Sequence, residues 1–302
     1  MLQIEGLREG LDIFKTLGSD VRMKIIELLA DYGSMNLNEI ASALELTNGA
    51  VTSHIRKMEE AGLIRIDQDY SGKGNQKLCS LQVDQLLVNI RPPVEERNLS
   101  LYESEIQIGA FHKCSVSPGC GLALERGLAG AEDEPAVFSI PLREGAQMLW
   151  FHDGYIEYRI PNHMPDGSLI AQLTLIFEIS SADYDRHARI DFYLDDVSLG
   201  GWVTFENDAS RGHFTPSWYR SMQCQHGFLK MLVINRQGVF LDGVRIAEGP
   251  GEEALSGTGN EIRFRIETHP SPEGNGGAAL YGSAFGNYAQ HIIARVHWAL
   301  AS

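Results

Sequence analysis

The sequence predicts an α+β chain of two domains, helical at its start and all-β after it. Helical periodicity runs through residues 6–61, short strand-like runs replace it from Ser100 onward, and 302 residues exceed the usual size of one domain.

Residues 6–17 place Leu7, Leu11, Phe14 and Leu17 at helical spacing, which predicts a first helix broken by Gly18. Ser19 is the expected cap of a second helix, with Val21, Ile25, Ile26, Leu28 and Leu29 on its buried face and Gly33 at its end. Residues 37–44 predict a short third helix with Ile40, Ala41 and Leu44 inward. Thr47 is the expected cap of a fourth helix over residues 48–61, whose core face is Val51, Ile55 and Met58 and whose stop is Gly62. Residues 63–70 and 76–83 read as two strands around a Gly-rich tip, 71–75, that carries Lys73. Asp84 is placed to cap a fifth helix over residues 85–90, ended by Arg91-Pro92-Pro93. This order of elements is a winged helix-turn-helix, expected to occupy residues 1–91.

The segments Leu17-Gly18-Ser19-Asp20-Val21-Arg22, Asn38-Glu39-Ile40-Ala41 and the run from Val51 to Ile64 resemble the arsenic-repressor (ArsR-like) group of winged-helix regulators. The resemblance covers about the first ninety residues. It implies a homodimer built through the first and fifth helices, with the fourth helix in the major groove of double-stranded operator DNA. A dimer would read two half-sites about one helical turn apart, so the expected operator is palindromic. Metal-sensing members of the group carry cysteines on the third helix, whereas residues 34–39 here are Ser-Met-Asn-Leu-Asn-Glu. Without thiolates that position does not select a soft metal ion.

The start of a recognition helix faces base edges, and here it offers Asn48, Thr52 and Ser53, short polar groups able to read bases. His54, Arg56 and Lys57 are expected at phosphates, and Lys73 on the wing at the flanking backbone. On its own an exposed Arg-Lys pair is more often a solvated face; the complete order of elements is what turns it into a DNA-binding expectation. Charge does not help, since the chain carries a net charge of −15 and residues 1–90 hold nine Lys/Arg against thirteen Asp/Glu. Affinity then depends on where the basic groups sit, because counterion release counts those that reach phosphates. No apolar run approaches the roughly 20 residues of a membrane span, and residues 1–10 lack a signal-peptide core, so a cytoplasmic, non-membrane protein is expected. Cys79, Cys114, Cys120 and Cys224 are too sparse for a disulfide framework and read as buried small hydrophobes.

From Ser100 the expected strands include residues 106–111, 137–140, 155–160, 169–179, 190–194, 228–235, 239–241, 262–268 and 279–281, with short helices at 121–127 and 288–300. So many strands with few helices predict that residues 92–302 form an antiparallel β-sandwich, jelly-roll-like in arrangement. Its loops gather aromatic and polar residues: Asn162, His163 and Asp166 in one; Trp202; Arg211, His213, Trp218 and Tyr219 in another; then Asn275 and Asn287. Flat rings beside amides, carboxylates and guanidinium are the chemistry of a sugar pocket. The competing reading makes Trp202 and Trp218 sandwich core and the Gly/Asn pairs turns. Phe177-Glu178-Ile179-Ser180-Ser181, Asp242-Gly243 and Phe285-Gly286-Asn287-Tyr288-Ala289-Gln290 resemble the sandwich domain fused to ArsR-like regulators in carbohydrate-use operons, and that resemblance implies a sugar effector.

Two alternatives stay open at this level. Glu157 and Glu178 are candidates for a glycosidase acid/base pair. His112, Cys114 and Cys120, completed by Cys79 or Cys224, are candidates for zinc or a thiol switch, although their spacing departs from a zinc knuckle. The expectation is a non-enzymatic regulator with no cofactor and no resident metal.

Overall fold

A computed structural model describes residues 2–4, 7, 8, 10–69, 76–83, 86–88, 99–205, 207, 209–220, 223–248, 251, 255, 261–269 and 276–300. The chain divides into two compact units, Met1–Val94 and Glu95–Ser302.

The first unit runs β1 (Leu2–Ile4), α1 (Leu11–Leu17), α2 (Asp20–Tyr32), β2 (Ser34–Asn36), α3 (Leu37–Ala43), α4 (Asn48–Glu60), β3 (Ile64–Asp69), β4 (Gln76–Leu81) and β5 (Leu86–Val88). Ile25 and Leu29 of α2, Ile40 and Ala41 of α3, and Val51, Ile55 and Met58 of α4 close one core over Ile64 and Cys79 of the hairpin. The predicted core faces of α3 and α4 are thus the buried ones, apart from Leu44, which is only partly buried. The helix ends follow local chemistry. Gly33 and Gly62 leave α2 and α4 at φ of 73° and 70°, which a β-carbon would strain. Asn36 and Glu39 form a reciprocal capping box on α3, and Thr47 Oγ1 accepts from Ala50 N at 3.3 Å on α4. Ser19 sits at the N-cap of α2, but its side chain makes no capping bond. The guanidinium of Arg22 instead donates to the carbonyls of Lys15, at 2.8 Å, and Thr16, closing the orphan end of α1.

Three features differ from the sequence prediction. α1 begins at Leu11, not at residue 6, and the fifth helix is replaced in its described part by β5, which pairs in parallel with β1, Gln3 opposite Leu87. Leu86-Leu87-Val88 is a short apolar run with no helical period, and a strand partner satisfies its backbone. A third strand, β2, was also unforeseen; it extends the hairpin to the order β2-β4-β3. The wing tip with Lys73 lies outside the described residues.

The second unit comprises β6 (Ser100–Ile106), β7 (Lys113–Val116), β8 (Cys120–Leu124), β9 (Gly127–Leu128), β10 (Ala146–Phe151), β11 (Gly154–Pro161), β12 (Ser168–Ser180), β13 (Arg189–Leu194), β14 (Val197–Val203), β15 (Phe228–Asn235), β16 (Gly238–Leu241), β17 (Val244–Ala247), β18 (Glu261–Thr268), β19 (Ala278–Tyr281) and β20 (Ile292–Leu300). They form a ten-stranded sheet, β17-β16-β15-β12-β19-β10-β8-β9 with β20 between β12 and β6, and a five-stranded sheet, β14-β13-β18-β11-β7. Every sandwich pairing is antiparallel, and the inward side chains of both sheets share one core. Phe177 of the larger sheet meets Phe192 and Phe264 of the smaller at 5.8 and 5.7 Å between ring centroids.

The helix expected at 121–127 is the β8–β9 hairpin. Gly121 lies against Trp150, whose ring would stand 2.2 Å from any β-carbon there. The helix expected at 288–300 is β20, where Ile292, Ala294 and Val296 alternate inward with period two. Residues 137–140, read as a strand, belong largely to a 3-10 turn opened by Pro135, and β6 ends at Ile106, where the strand expected at 106–111 was to begin.

His152, at the end of β10, ties two loops together. Its ring nitrogens face the Gly119 carbonyl and, at 3.1 Å, Asp183 Oδ1, two acceptors satisfied together only by the imidazolium. The hydrogen bond to Asp183, outweighing burial, raises its pKa above 6.5. A raised folded-state pKa contributes stability in full below the unfolded value and loses it as pH rises through the folded one. The melting temperature of the sandwich is therefore expected to fall as pH rises above about 6.5, and His152→Gln to flatten that dependence. Differential scanning calorimetry at several pH values checks it; parallel pH profiles for the two proteins would refute it.

Candidate functional site

α4 turns Val51, Ile55 and Met58 inward and leaves Asn48, Gly49, Thr52, Ser53, Arg56 and Lys57 exposed. The expected DNA-reading residues therefore share one outward face, but their hydrogen bonds divide them. Asn48 Nδ2 donates to Asn38 Oδ1 at 2.8 Å, clasping the starts of α3 and α4. Thr52 donates its hydroxyl proton to the Asn48 carbonyl at 2.7 Å, which leaves an acceptor and a methyl facing out. Arg56 pairs with Glu60 at 2.9 Å. His54 is half-buried, and burial, followed by the charges of Arg22 and Lys57, lowers its pKa. It is neutral near pH 7 and brings no charge to a phosphate.

The expected ligand residues fall in three places. Arg211, His213, Trp218, Tyr219 and Asn287 come together where residues 211–219 dock on residues 285–288. His213 N donates to Asn287 Oδ1 at 2.9 Å, Trp218 Nε1 donates to the Glu125 carbonyl at 2.8 Å, and Arg211 donates to the Pro216 carbonyl. Tyr219 is buried against Phe285 and Trp150, while Trp218 is 37% exposed. Asn162, His163 and Asp166 sit in the β11–β12 connection, where Asn162 Oδ1 accepts from Met164 N and His163 meets the edge of Tyr102. The two groups flank opposite ends of β12, ten residues apart between Ser168 and Glu178, or roughly 30 Å, too far for one small ligand. Trp202 is elsewhere again, buried with the ammonium of Lys230 at 4.3 Å from its ring. Asn275 lies outside the described residues.

The first cluster is organised by Glu178. Its carboxylate accepts from the backbone N–H groups of Gly227 at 2.7 Å, Asn287 at 2.9 Å and Tyr288 at 3.0 Å, and the residue is 1% exposed. Gly286, at φ 76°, passes so close that a β-carbon would lie 2.4 Å from both carboxylate oxygens. Sequence reasoning noted Glu178 but not its role; the Gly286-Asn287 pair was the available signal of a close approach.

This geometry removes the glycosidase pair. Ile156 and Tyr158 point into the core, so Glu157 projects from the outer face of the five-stranded sheet. Phe177 and Ile179 do the same for Glu178 on the outer face of the larger one. Packed sheets lie about 10 Å apart, so carboxylates on their two outer faces cannot flank one glycosidic bond, which needs roughly 5–9.5 Å. The thiols are equally ill-suited. Cys114 and Cys120 both lie at the core, burial raises both pKa values, that of Cys120 to about 11, and metal binding needs the thiolate. Among the described residues no group of His, Cys, Asp and Glu is arranged to hold a metal ion.

Fold and exposed helix together define the first unit as a winged helix-turn-helix DNA-binding domain. Residues 19–65 match the family model described as winged helix-turn-helix DNA-binding. Over 62 residues the chain is 29% identical to an uncharacterized HTH-type transcriptional regulator of Methanocaldococcus jannaschii, covering 20% of this chain and 70% of that protein. Among solved structures it is similar to HlyU from Vibrio cholerae, over 25% of this chain and 76% of that one, at 20% identity and a TM-score of 0.22. A carbohydrate-binding module, CBM36, in complex with calcium and xylotriose matches over 63% of this chain and 97% of its own, at 9% identity and a TM-score of 0.27. At those scores neither likeness bears on function. No helix among the described residues is long and apolar enough to cross a membrane.

Proposed function

We propose that the chain is a sugar-responsive transcriptional repressor of the ArsR-like kind, with residues 1–91 binding a palindromic operator as a homodimer and residues 92–302 sensing the effector. The observation that carries the DNA-binding part is the outward face of α4, where Thr52 and Ser53 stand exposed one turn ahead of Arg56 and Lys57 on a helix capped by Thr47. The support for an effector is the Glu178-anchored loop cluster, which gathers Arg211, His213, Trp218 and Asn287 on the sandwich. Effector binding would weaken operator affinity by its preference between two states, typically about 5- to 150-fold.

A gel shift with the DNA upstream of the gene tests the reading. Ser53→Ala is expected to cost about 1–3 kcal/mol on the operator and to relax specificity. Arg56→Ala with Lys57→Ala is expected to weaken all sequences alike and to reduce the salt slope by about two. Absence of any retarded species at low salt would sink the reading.

A further inference from the structure

Glu157 is 5% exposed, yet among the described residues its carboxylate has no hydrogen-bond or ion-pair partner. Its oxygens are not fully enclosed, so the carboxylate keeps some contact with solvent. It stands mid-sheet on the outer face of the five-stranded sheet, with Lys113 of β7 directly across on one side and Arg265 of β18 on the other. Neither approaches to ion-pair distance. Arg265 is held elsewhere: its guanidinium lies 5.4 Å from the Tyr155 ring centroid and 4.4 Å from that of Tyr193, and it pairs with Glu267 at 3.2 Å and Asp196 at 3.5 Å. The face therefore centres on a carboxylate with no hydrogen bond of its own, close enough to Arg263 to feel its charge, beside the exposed Lys113, the held Arg265 and two partly exposed tyrosines.

The mixture decides the ligand class. An anion would meet the carboxylate of Glu157, and an organic cation the ammonium of Lys113 and the guanidinium of Arg263, as like charges. A neutral polyol meets neither obstacle: its hydroxyls donate to Glu157 and accept from Arg265 and Lys113, and its C–H face lies along a tyrosine ring. We infer that the outer face of the five-stranded sheet, centred on Glu157 between Tyr155 and Tyr193, is a binding site for a neutral sugar. The inference rests on the sugar-sensing reading above and moves its site from the loops to the sheet.

The test uses the full chain on an array of neutral gluco-, xylo-, manno- and galacto-configured oligosaccharides, then titration calorimetry with the oligosaccharide held best. Glu157→Gln is expected to weaken its Kd at least tenfold with the melting temperature kept, while Trp218→Ala stays within twofold. Unchanged affinity in Glu157→Gln with loss in Trp218→Ala would overturn the sheet site and leave sugar sensing standing. No retention of any oligosaccharide by the wild type would overturn both. If Glu157→Gln fails to fold, Tyr193→Ala carries the test, since it removes the ring along which the sugar's C–H face would lie; a several-fold loss supports the site and an unchanged Kd overturns it.

Discussion

Replacing Glu178 by alanine is expected to lower the stability of the sandwich by about 3–5 kcal/mol and its melting temperature by roughly 10 °C. The carboxylate is enclosed and accepts from three backbone N–H groups, those of Gly227, Asn287 and Tyr288. Alanine removes the acceptor and leaves those donors facing apolar surroundings, the costly half of an unmade hydrogen bond. Glu178→Gln is expected to recover only part of the loss, because its amide turns a donor toward donors. Gly286→Ala makes an independent probe: its β-carbon would press on the same oxygens and occupy a positive φ. All three changes should also release residues 211–219 and 285–288, read as faster amide exchange there with the outer strands unchanged. A Glu178→Ala protein that melts with the wild type would show that the cradle contributes nothing.

Asp242→Asn is expected to cost about 3 kcal/mol in the same domain, and more than Lys230→Met. Lys230 points into the edge of the sandwich, its side chain only 3% exposed, with its ammonium at 2.8 Å from Asp242 Oδ2. The rings of Trp202, Phe205 and Phe228 surround it at 4.3, 5.5 and 5.7 Å. Those rings help to hold the cation, but among the described residues only Asp242 neutralises it. Neutralising Asp242 strands an enclosed positive charge, while Asn still tolerates the turn at φ 50° and can accept from Met231 N as Asp242 Oδ1 does at 2.9 Å. Lys230→Met keeps the apolar stem against Trp202 and leaves a carboxylate with some access to water. The double variant should therefore be more stable than the sum of the single losses predicts, by at least 1 kcal/mol in denaturant melts. Additive losses would mean that the pair is not coupled.

What the sequence by itself determined is the part governed by neighbours in the chain. α2, α3 and α4 follow from apolar spacing, and their ends from Thr47, Gly33 and Gly62. These are steric and hydrogen-bonding effects spanning a few residues, so composition and order suffice to state them. The long strands β11, β13 and β18 were legible through their alternation, and β12 and β15 as apolar runs between turn residues.

Only the tertiary structure decided what depends on partners far away in sequence. Leu86–Val88 is a strand because Leu2–Ile4 lies beside it, and β20 is a strand because β12 and β6 receive its two edges. A one-residue change of facing separates Glu157, unserved on one outer sheet face, from the core beneath it, while Glu178 is consumed by loops on the opposite face. Trp202 looked like a sugar platform until a lysine 28 residues further along filled the space beside its ring. Burial and hydrogen-bond supply at such positions are properties of the assembled sheets, and no local pattern of residues carries them.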